Sequence, residues 1–517
     1  MGKEKDSVLV IGAGIGGLAS AIRLVSAGVP VTLLEAHDWP GGKMRCTPSP
    51  AGPVDAGPTV LTMRAVFDDL FACAGSTLED HLTLTPLPVI ARHFWQGGAR
   101  LDLFADPAAN RDAIDAAFGA RAAEDFARFD DATRALYQAF TDPVMMAPHP
   151  SVLASARAAL GQPRLLPWLR PGLTLDAALS RAFAEPRLRQ LFGRYATYVG
   201  GNPLRAPALL ALVWQAEAAG VWAVQGGMAQ LAQALAGLFT SLGGELRLQS
   251  PVAALMIEGG AVAGARLTSG EELRARQVIF NGDPAALPAL TGGHRAAPPR
   301  RAFLPRSLSA HVFTGAAQVQ PDGLGQDALA YHTVFFADER VREFTPLARG
   351  LAPQDPTIYV CAQDRARGLP APGAPERFQF ILNAPALADS KDIPCPTDPF
   401  QRLQALGLTM HPQGPVLTGP AGFARLFPHS RGALYGLSPD SAMASFLRPV
   451  ARARLRGLYL AGGGVHPGPG LPMAALSGRH AAEALLGDLI SHSAFRPTAM
   501  PGGMSTASAT TAPAPSR

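Results

Sequence analysis

The stretch VLVIGAGIGGLASA, Val8 to Ala21, admits two readings. Lys3 and Lys5 precede it, and LASA near its end has the small residues of a leader-cleavage site. A secretory leader needs an unbroken apolar core of about 7–15 residues, and Gly12, Gly14, Gly16 and Gly17 interrupt this one. Further along, VPVTLLEA (29–36) is a second apolar run with the acid Glu35 at its end. Between the two runs, Ile15, Leu18, Ile22 and Val25 recur at helical spacing, and Gly28 stops the helix. The order is therefore strand, G-x-G-x-x-G turn at Gly12, Gly14 and Gly17, helix, strand, acid. That is the layout of a dinucleotide-binding unit. Gly12 allows the tight turn, Gly14 lets backbone approach a pyrophosphate, and Gly17 lets helix and strand pack closely. The helix N-terminus offers free N–H groups to the phosphates. Glu35 is placed to accept hydrogen bonds from the adenosine ribose.

The rest of the chain narrows the class. Its 517 residues require two or three domains. Hydrophobic residues make up 48% and charged residues only 16%, yet no apolar run reaches the roughly 18 residues of a membrane span. A charge-poor chain without a span points to a greasy ligand, a membrane-surface patch, or both. The net charge of +5 comes from scattered arginines with no run of five, which argues against nucleic acid. Attraction to anionic lipid and an ordinary solvated surface both account for it. Cys46, Cys73, Cys361 and Cys395 are far apart, so neither a zinc site nor a disulfide framework is expected, and a reducing compartment fits.

Composition divides the chain into segments. Residues 1–95 carry the first part of the nucleotide domain. Residues 96–222 are rich in Ala, Leu, Arg and Pro at helical period. Residues 223–290 return to the nucleotide domain through alternating, glycine-punctuated strands that include Val252. Residues 291–452 mix strands with proline-rich loops and read as a substrate domain. Residues 453–495 read strand, glycine-rich loop, long helix, and complete the nucleotide domain. The low-complexity tail at 496–517 cannot bury enough apolar surface to order itself.

The fingerprint alone does not choose between FAD and NAD; its continuation does. GGKMRCTPSPAGPVDAGPTVL (41–61), YVGGNPLRAPALLALV (198–213), GVWAVQGGMAQLAQAL (220–235) and LYLAGGGVHPGPGLPMAALSG (458–478) together resemble the phytoene desaturase-type carotenoid oxidoreductases. These are part of a wider group with the flavin amine oxidases and the Rab GDP-dissociation inhibitors. The resemblance implies an α/β fold. A Rossmann-like FAD domain of the glutathione-reductase and amine-oxidase type would carry an inserted α+β substrate domain and a helical region. It implies non-covalent FAD on Gly12, Gly14, Gly16, Gly17, Glu35, Gly42, Lys43, Arg45, Gly57, Pro58, Thr59, Val252, Gly463, Gly464, Gly470 and Met473, and no metal. Lys43 and Arg45 would offset pyrophosphate charge. Within the family the run of motifs is most similar to the hydroxycarotenoid 3,4-desaturases of purple bacteria. That implies an acyclic carotenoid substrate, peripheral attachment to the cytoplasmic side of the inner membrane, and other carotenoid-pathway enzymes as neighbours. Phytoene desaturase, a flavin amine oxidase and a flavin-free lipid-binding protein remain the alternatives.

No catalytic base stands out. His466 faces the flavin loop, as a base or, more simply, as a brace through a backbone hydrogen bond. Asp338 and Glu339 are further acids, placed where solvated loops are common. Phe126, Phe129, Trp214 and Trp222 are either core or the lining of a substrate tunnel. The stretch 142–172, with Met145, Met146 and Trp168 among arginines, reads as an interfacial segment or a buried helical pair.

Overall fold

Strand Val8–Ile11 is buried on both faces, as a central parallel strand must be. In the computed structural model, which describes residues 7–494 apart from 372, 389, 390 and 442, it is the middle of five parallel strands. Their order is Leu458–Leu460, Gln277–Phe280, Val8–Ile11, Val31–Leu34, Glu245–Arg247. The period-2 alternation of a strand sorts its side chains between two cores. Val8, Val10, Leu33 and Ile279 pack under the helices Ile15–Ser26, Ala229–Ser241 and Leu471–Ala494. Leu9, Ile11, Leu34, Val278 and Phe280 pack on the antiparallel strands Val252–Glu258, Ala261–Leu267 and Glu272–Arg274. Segments from the two chain ends and the middle thus complete one sheet.

A second, mixed sheet has seven strands, ordered Leu408–Thr418, Ser309–Gly323, Glu376–Ala384, Ile358–Ala362, His332–Phe335, Val89–Phe94, Arg100–Phe104. The hairpin Val89–Phe94/Arg100–Phe104 belongs here, so a division at 95/96 falls inside it. Helices between Pro107 and Ala218 cover this sheet. In their shared core Phe129 and Phe183 pack on the ring of Phe192, and Phe126 and Phe192 meet Trp214 edge-on. Phe126, Phe129 and Trp214 are therefore structural core, and the Trp214 indole donates to buried Asp130 at 2.9 Å. Trp222 packs at the margin of the nucleotide-domain core. The tail at 496–517 lies outside the described residues. Among the described residues, no helix is long and apolar enough to cross a membrane.

Candidate active site

The helix Ile15–Ser26 starts at Gly14 with no side chain capping it. Its first-turn N–H groups therefore point free at the carboxyl end of the sheet, which suits an anion. Contact distances explain the glycines. A Cβ on Gly17 would sit 2.0 Å from the Gly12 carbonyl oxygen, and one on Gly16 would sit 2.6 Å from the Gly462 amide. Gly14 bridges Gly41, so the turn at 41–42 closes over the first motif. Glu35 ends the second strand with one carboxylate oxygen accepting from Ala13 N–H at 2.8 Å and the other from His37 N–H at 3.0 Å. The Ser250 amide donates to the Glu35 carbonyl, which brings Val252 in beside this end.

The second motif is placed by different forces. Asp55 is buried and its carboxylate accepts from the Met228 and Ala229 amides at 2.6 and 3.2 Å, capping the helix Ala229–Ser241. A Cβ on Gly57 would sit 1.8 Å from the Lys43 carbonyl, so the chain after Asp55 lies tight on the 41–45 turn. Lys43 donates to the Leu434 carbonyl, and burial pulls its ammonium down to about 8 against the opposing pull of Asp283. Arg45 donates to Thr418 at 2.9 Å and lies over Phe423, tying the turn to the second sheet. Both expected pyrophosphate cations are thus engaged with the 418–434 side.

At the C-terminal motif, Gly462 N–H donates to Ser477 at 2.7 Å, while Gly463 and Gly464 form the loop before Gly470 opens the last helix. Arg448 braces this loop through the carbonyls of Tyr435, Leu437 and Gly463. Burial, with help from Arg306, pulls it down to about 10. His466 is buried, and its Nε2 lies 2.9 Å from the Ala147 carbonyl. A carbonyl only accepts, so Nε2 carries the proton. Burial lowers the ring to about 4, so it stands neutral. His480 holds the Met146 carbonyl at 3.0 Å in the same way and stacks on His466. The geometry is that of a brace between the C-terminal motif and the segment 141–147.

Against these motifs lies a cavity of about 370 Å³. One wall is Pro58 and Thr59 with Pro467, Gly470 and Met473; another is apolar, from Tyr137, Phe140, Val144, Met145, Leu209 and Val213. At one end it meets a polar cluster. Arg194 donates to Tyr198 at 2.7 Å, Tyr195 donates to Glu217 at 2.7 Å, and Tyr359 bonds Thr59 at 2.6 Å. Burial raises the Glu217 carboxyl, and the Tyr195 hydrogen bond and Arg194 act against that rise. Phe126, Phe129, Trp214 and Trp222 do not line this cavity. Neither do Asp338, which pairs with Arg402 at 3.3 Å, and Glu339, which precedes the helix Arg340–Ala348. Among the described residues, no set of three or more His, Cys, Asp or Glu is placed for a metal.

Two features escaped the sequence reading. Asn281 donates to the Gly12 carbonyl at 2.9 Å and touches the positions of Gly14, Gly16, Gly17 and Gly462; its signal was a lone Asn–Gly just past the strand QVIF. Arg194, Tyr198, Tyr359 and Tyr435 come together from three distant segments, and no local pattern marks them.

A dinucleotide cradle facing an apolar cavity defines an oxidoreductase of the flavin type. Residues 15–319 match the family of flavin containing amine oxidoreductases. The hydroxyneurosporene desaturase of Cereibacter sphaeroides is 54% identical over 94% of this chain and 98% of its own length. The lycopene-forming phytoene desaturase of Pseudescherichia vulneris is 31% identical over 93% of this chain and 99% of its own. Cyclohexylamine oxidase from Brevibacterium oxydans shares the fold, with a TM-score of 0.58 at 17% identity, covering 94% of this chain and 100% of that one. The chain belongs to the flavin containing amine oxidoreductases, in the carotenoid-desaturating group of that family.

Proposed function

We propose that this protein is an FAD-dependent desaturase that introduces the C3–C4 double bond into acyclic carotenoids bearing a C1 hydroxyl or methoxy group. The observation that carries the reading is the shared wall: the residues that end the dinucleotide motifs, Pro58, Thr59, Gly470 and Met473, also face the apolar cavity. A substrate chain in that cavity lies against the place where a flavin ring would end. The Gly12–Gly17 turn and Gly42 would hold the pyrophosphate, Glu35 and Val252 the adenosine, and the 463–473 loop the flavin end. Bound FAD would accept a hydride from one carbon while the neighbouring carbon releases a proton. Loss of hydride beside a polyene leaves a delocalised cation, which makes that neighbouring proton acidic. The chain's own task is then to position the reacting carbons and exclude water.

The relatives support this substrate class, and Arg194 speaks against an amine. Its guanidinium already lies over the rings of Tyr198 and Tyr359, at 4.8 and 5.3 Å, where an ammonium substrate would need free aromatic faces. The substrate must be collected from a bilayer. Near Val144 and Met145 the cavity wall runs into an exposed apolar surface of Met146, Val152, Leu153 and Leu166. That surface suits peripheral docking on the cytoplasmic side of a membrane. The test incubates FAD-loaded protein separately with 1-hydroxyneurosporene and phytoene and records product spectra. The expected result is lengthening of the hydroxylated chromophore by one double bond. Efficient conversion of phytoene, with the hydroxylated carotenoid untouched, would overturn the reading.

A further inference from the structure

Two arginines line the cavity, and their circumstances differ. Arg448 spends its donors on three backbone carbonyls. Arg194 has one hydrogen-bond partner among the described residues, the Tyr198 hydroxyl, and no described carboxylate lies within 4.0 Å of it. Arg194 lines the cavity, and its guanidinium lies over the rings of Tyr198 and Tyr359. A guanidinium has five donors in a planar fork. Leaving several of them unmatched in an apolar cavity is unfavourable unless an acceptor arrives with the ligand.

The location of this fork matters. The Tyr359 ring beneath it ends in a hydroxyl 2.6 Å from Thr59, the residue that closes the second dinucleotide motif. Arg194, Tyr359 and Thr59 thus run as one connected row from the polar end of the cavity to the flavin wall. A C3–C4 desaturation requires that neighbourhood, because the oxygen-bearing C1 is two bonds from C3 and three from C4. The polar terminus and the reacting carbons must sit side by side, with the long polyene extending away along the apolar wall.

Resting on the function proposed above, we propose that Arg194 is the specificity residue that donates to the C1 oxygen of the substrate. A hydroxyl and a methoxy oxygen both accept, so both termini satisfy the fork. A hydrocarbon terminus fills the same space and leaves the fork unpaired, which is how a site built for a polar group rejects its apolar counterpart. Tyr198 hydrogen-bonds the guanidinium, and the rings of Tyr198 and Tyr359 both pack on it. Glu217 sets its charge balance from beyond ion-pair distance.

The test compares kcat/KM for 1-hydroxyneurosporene, 1-methoxyneurosporene and 1,2-dihydroneurosporene, which has the same skeleton without oxygen. It uses flavin-loaded wild type and Arg194→Met. The ratio of oxygenated to hydrocarbon substrate does not depend on how much protein is correctly folded. The wild type should prefer both oxygenated substrates by about tenfold or more, and Arg194→Met should bring the ratio close to one. If Arg194→Met does not load flavin, competition on the wild type decides. 1,2-Dihydroneurosporene should inhibit at least tenfold more weakly than the 1-methoxy compound. Equal inhibition, or an unchanged ratio in the variant, overturns the role of Arg194 while leaving the desaturase reading intact. A wild type that converts none of the three but desaturates phytoene overturns the 3,4-desaturase function proposed above.

Discussion

The nucleotide cradle and the polar end of the cavity are both buried places where polar groups face a ligand, and they are built by opposite means. In the cradle the working groups are backbone amides, exposed because Gly14, Gly16 and Gly17 carry no side chains. In the cavity they are side chains, the Arg194 guanidinium and the phenols of Tyr198 and Tyr359, delivered by segments more than 150 residues apart in the chain. The first kind of site depends on local steric constraints and tolerates almost no substitution. The second depends on long-range packing, so single changes should retune it rather than abolish it.

The sharpest way to break that contrast is at Gly14. Its Cβ would already lie 2.9 Å from the Asn281 amide nitrogen, and a valine would add branches toward the phosphate position. Gly14→Val should purify without flavin and fail to take it up, a loss of affinity of at least about 100-fold. Normal flavin uptake, read by absorbance after reconstitution, would rule out the Gly12–Gly17 turn as the flavin cradle.

Asp55 lies between the two regions. It sits in the second motif but acts by capping the helix Ala229–Ser241 through the Met228 and Ala229 amides. Asp55→Ala leaves those buried amides unpaired, which should cost about 2–4 kcal/mol. Thermal melts should show a fall of several degrees even in flavin-free protein. A loss confined to flavin binding would instead make Asp55 part of the cradle.

His466 in the C-terminal loop and His480 in the helix after it join that motif to the segment 141–147 beside the cavity, so the joint between the regions is open to titration. His466 is held neutral, at about 4, mainly by burial, with His480, His149 and Arg448 nearby adding to the effect. In the unfolded chain it would titrate at about 6.5. The unfolded state therefore takes up a proton first as pH falls. The stability due to His466 is full above about 6.5 and is lost progressively as pH falls through about 4. His466→Gln keeps a donor for the Ala147 carbonyl and removes the titration. Its melting temperature should decline less steeply than that of the wild type between pH 7 and pH 5, and equal slopes would count against the brace.

The smallest catalytic effect is expected at the rim. Met146→Glu/Leu153→Glu, at two exposed apolar residues outside the cavity wall, should weaken liposome flotation several-fold while changing turnover of detergent-solubilised substrate by less than about threefold. Equal flotation of wild type and variant would show that this segment is not the membrane contact.

Much of the cradle was legible in the residues. The G-x-G-x-x-G turn between two strands, the acid Glu35 and the glycines at 41–42 and 462–464 each reflect a distance that only hydrogen can occupy, and such constraints are written one position at a time. Their convergence on Asn281 was not legible, because it needs the strand Gln277–Phe280 to be placed beside Val8–Ile11, a pairing across almost 270 residues. Lys43 and Arg45 show the same limit: their charge was legible, and the contacts with the Leu434 carbonyl, Thr418 and Phe423 that position them were not. The aromatic residues Phe126, Phe129 and Trp214 illustrate the converse. Hydrophobicity at helical spacing says that a face is buried, and it does not say whether the other side of that face is core or cavity.

The amino-acid sequence by itself determined that this chain folds a dinucleotide unit from its two ends and its middle, because glycine steric limits and the period-2 burial of strands act between neighbours. Only the tertiary structure decided what the cavity holds at its end. Arg194 lies over Tyr359, 165 positions away, whose hydroxyl reaches Thr59, and that no described carboxylate lies within ion-pair distance of its guanidinium is visible only once distant segments are packed together.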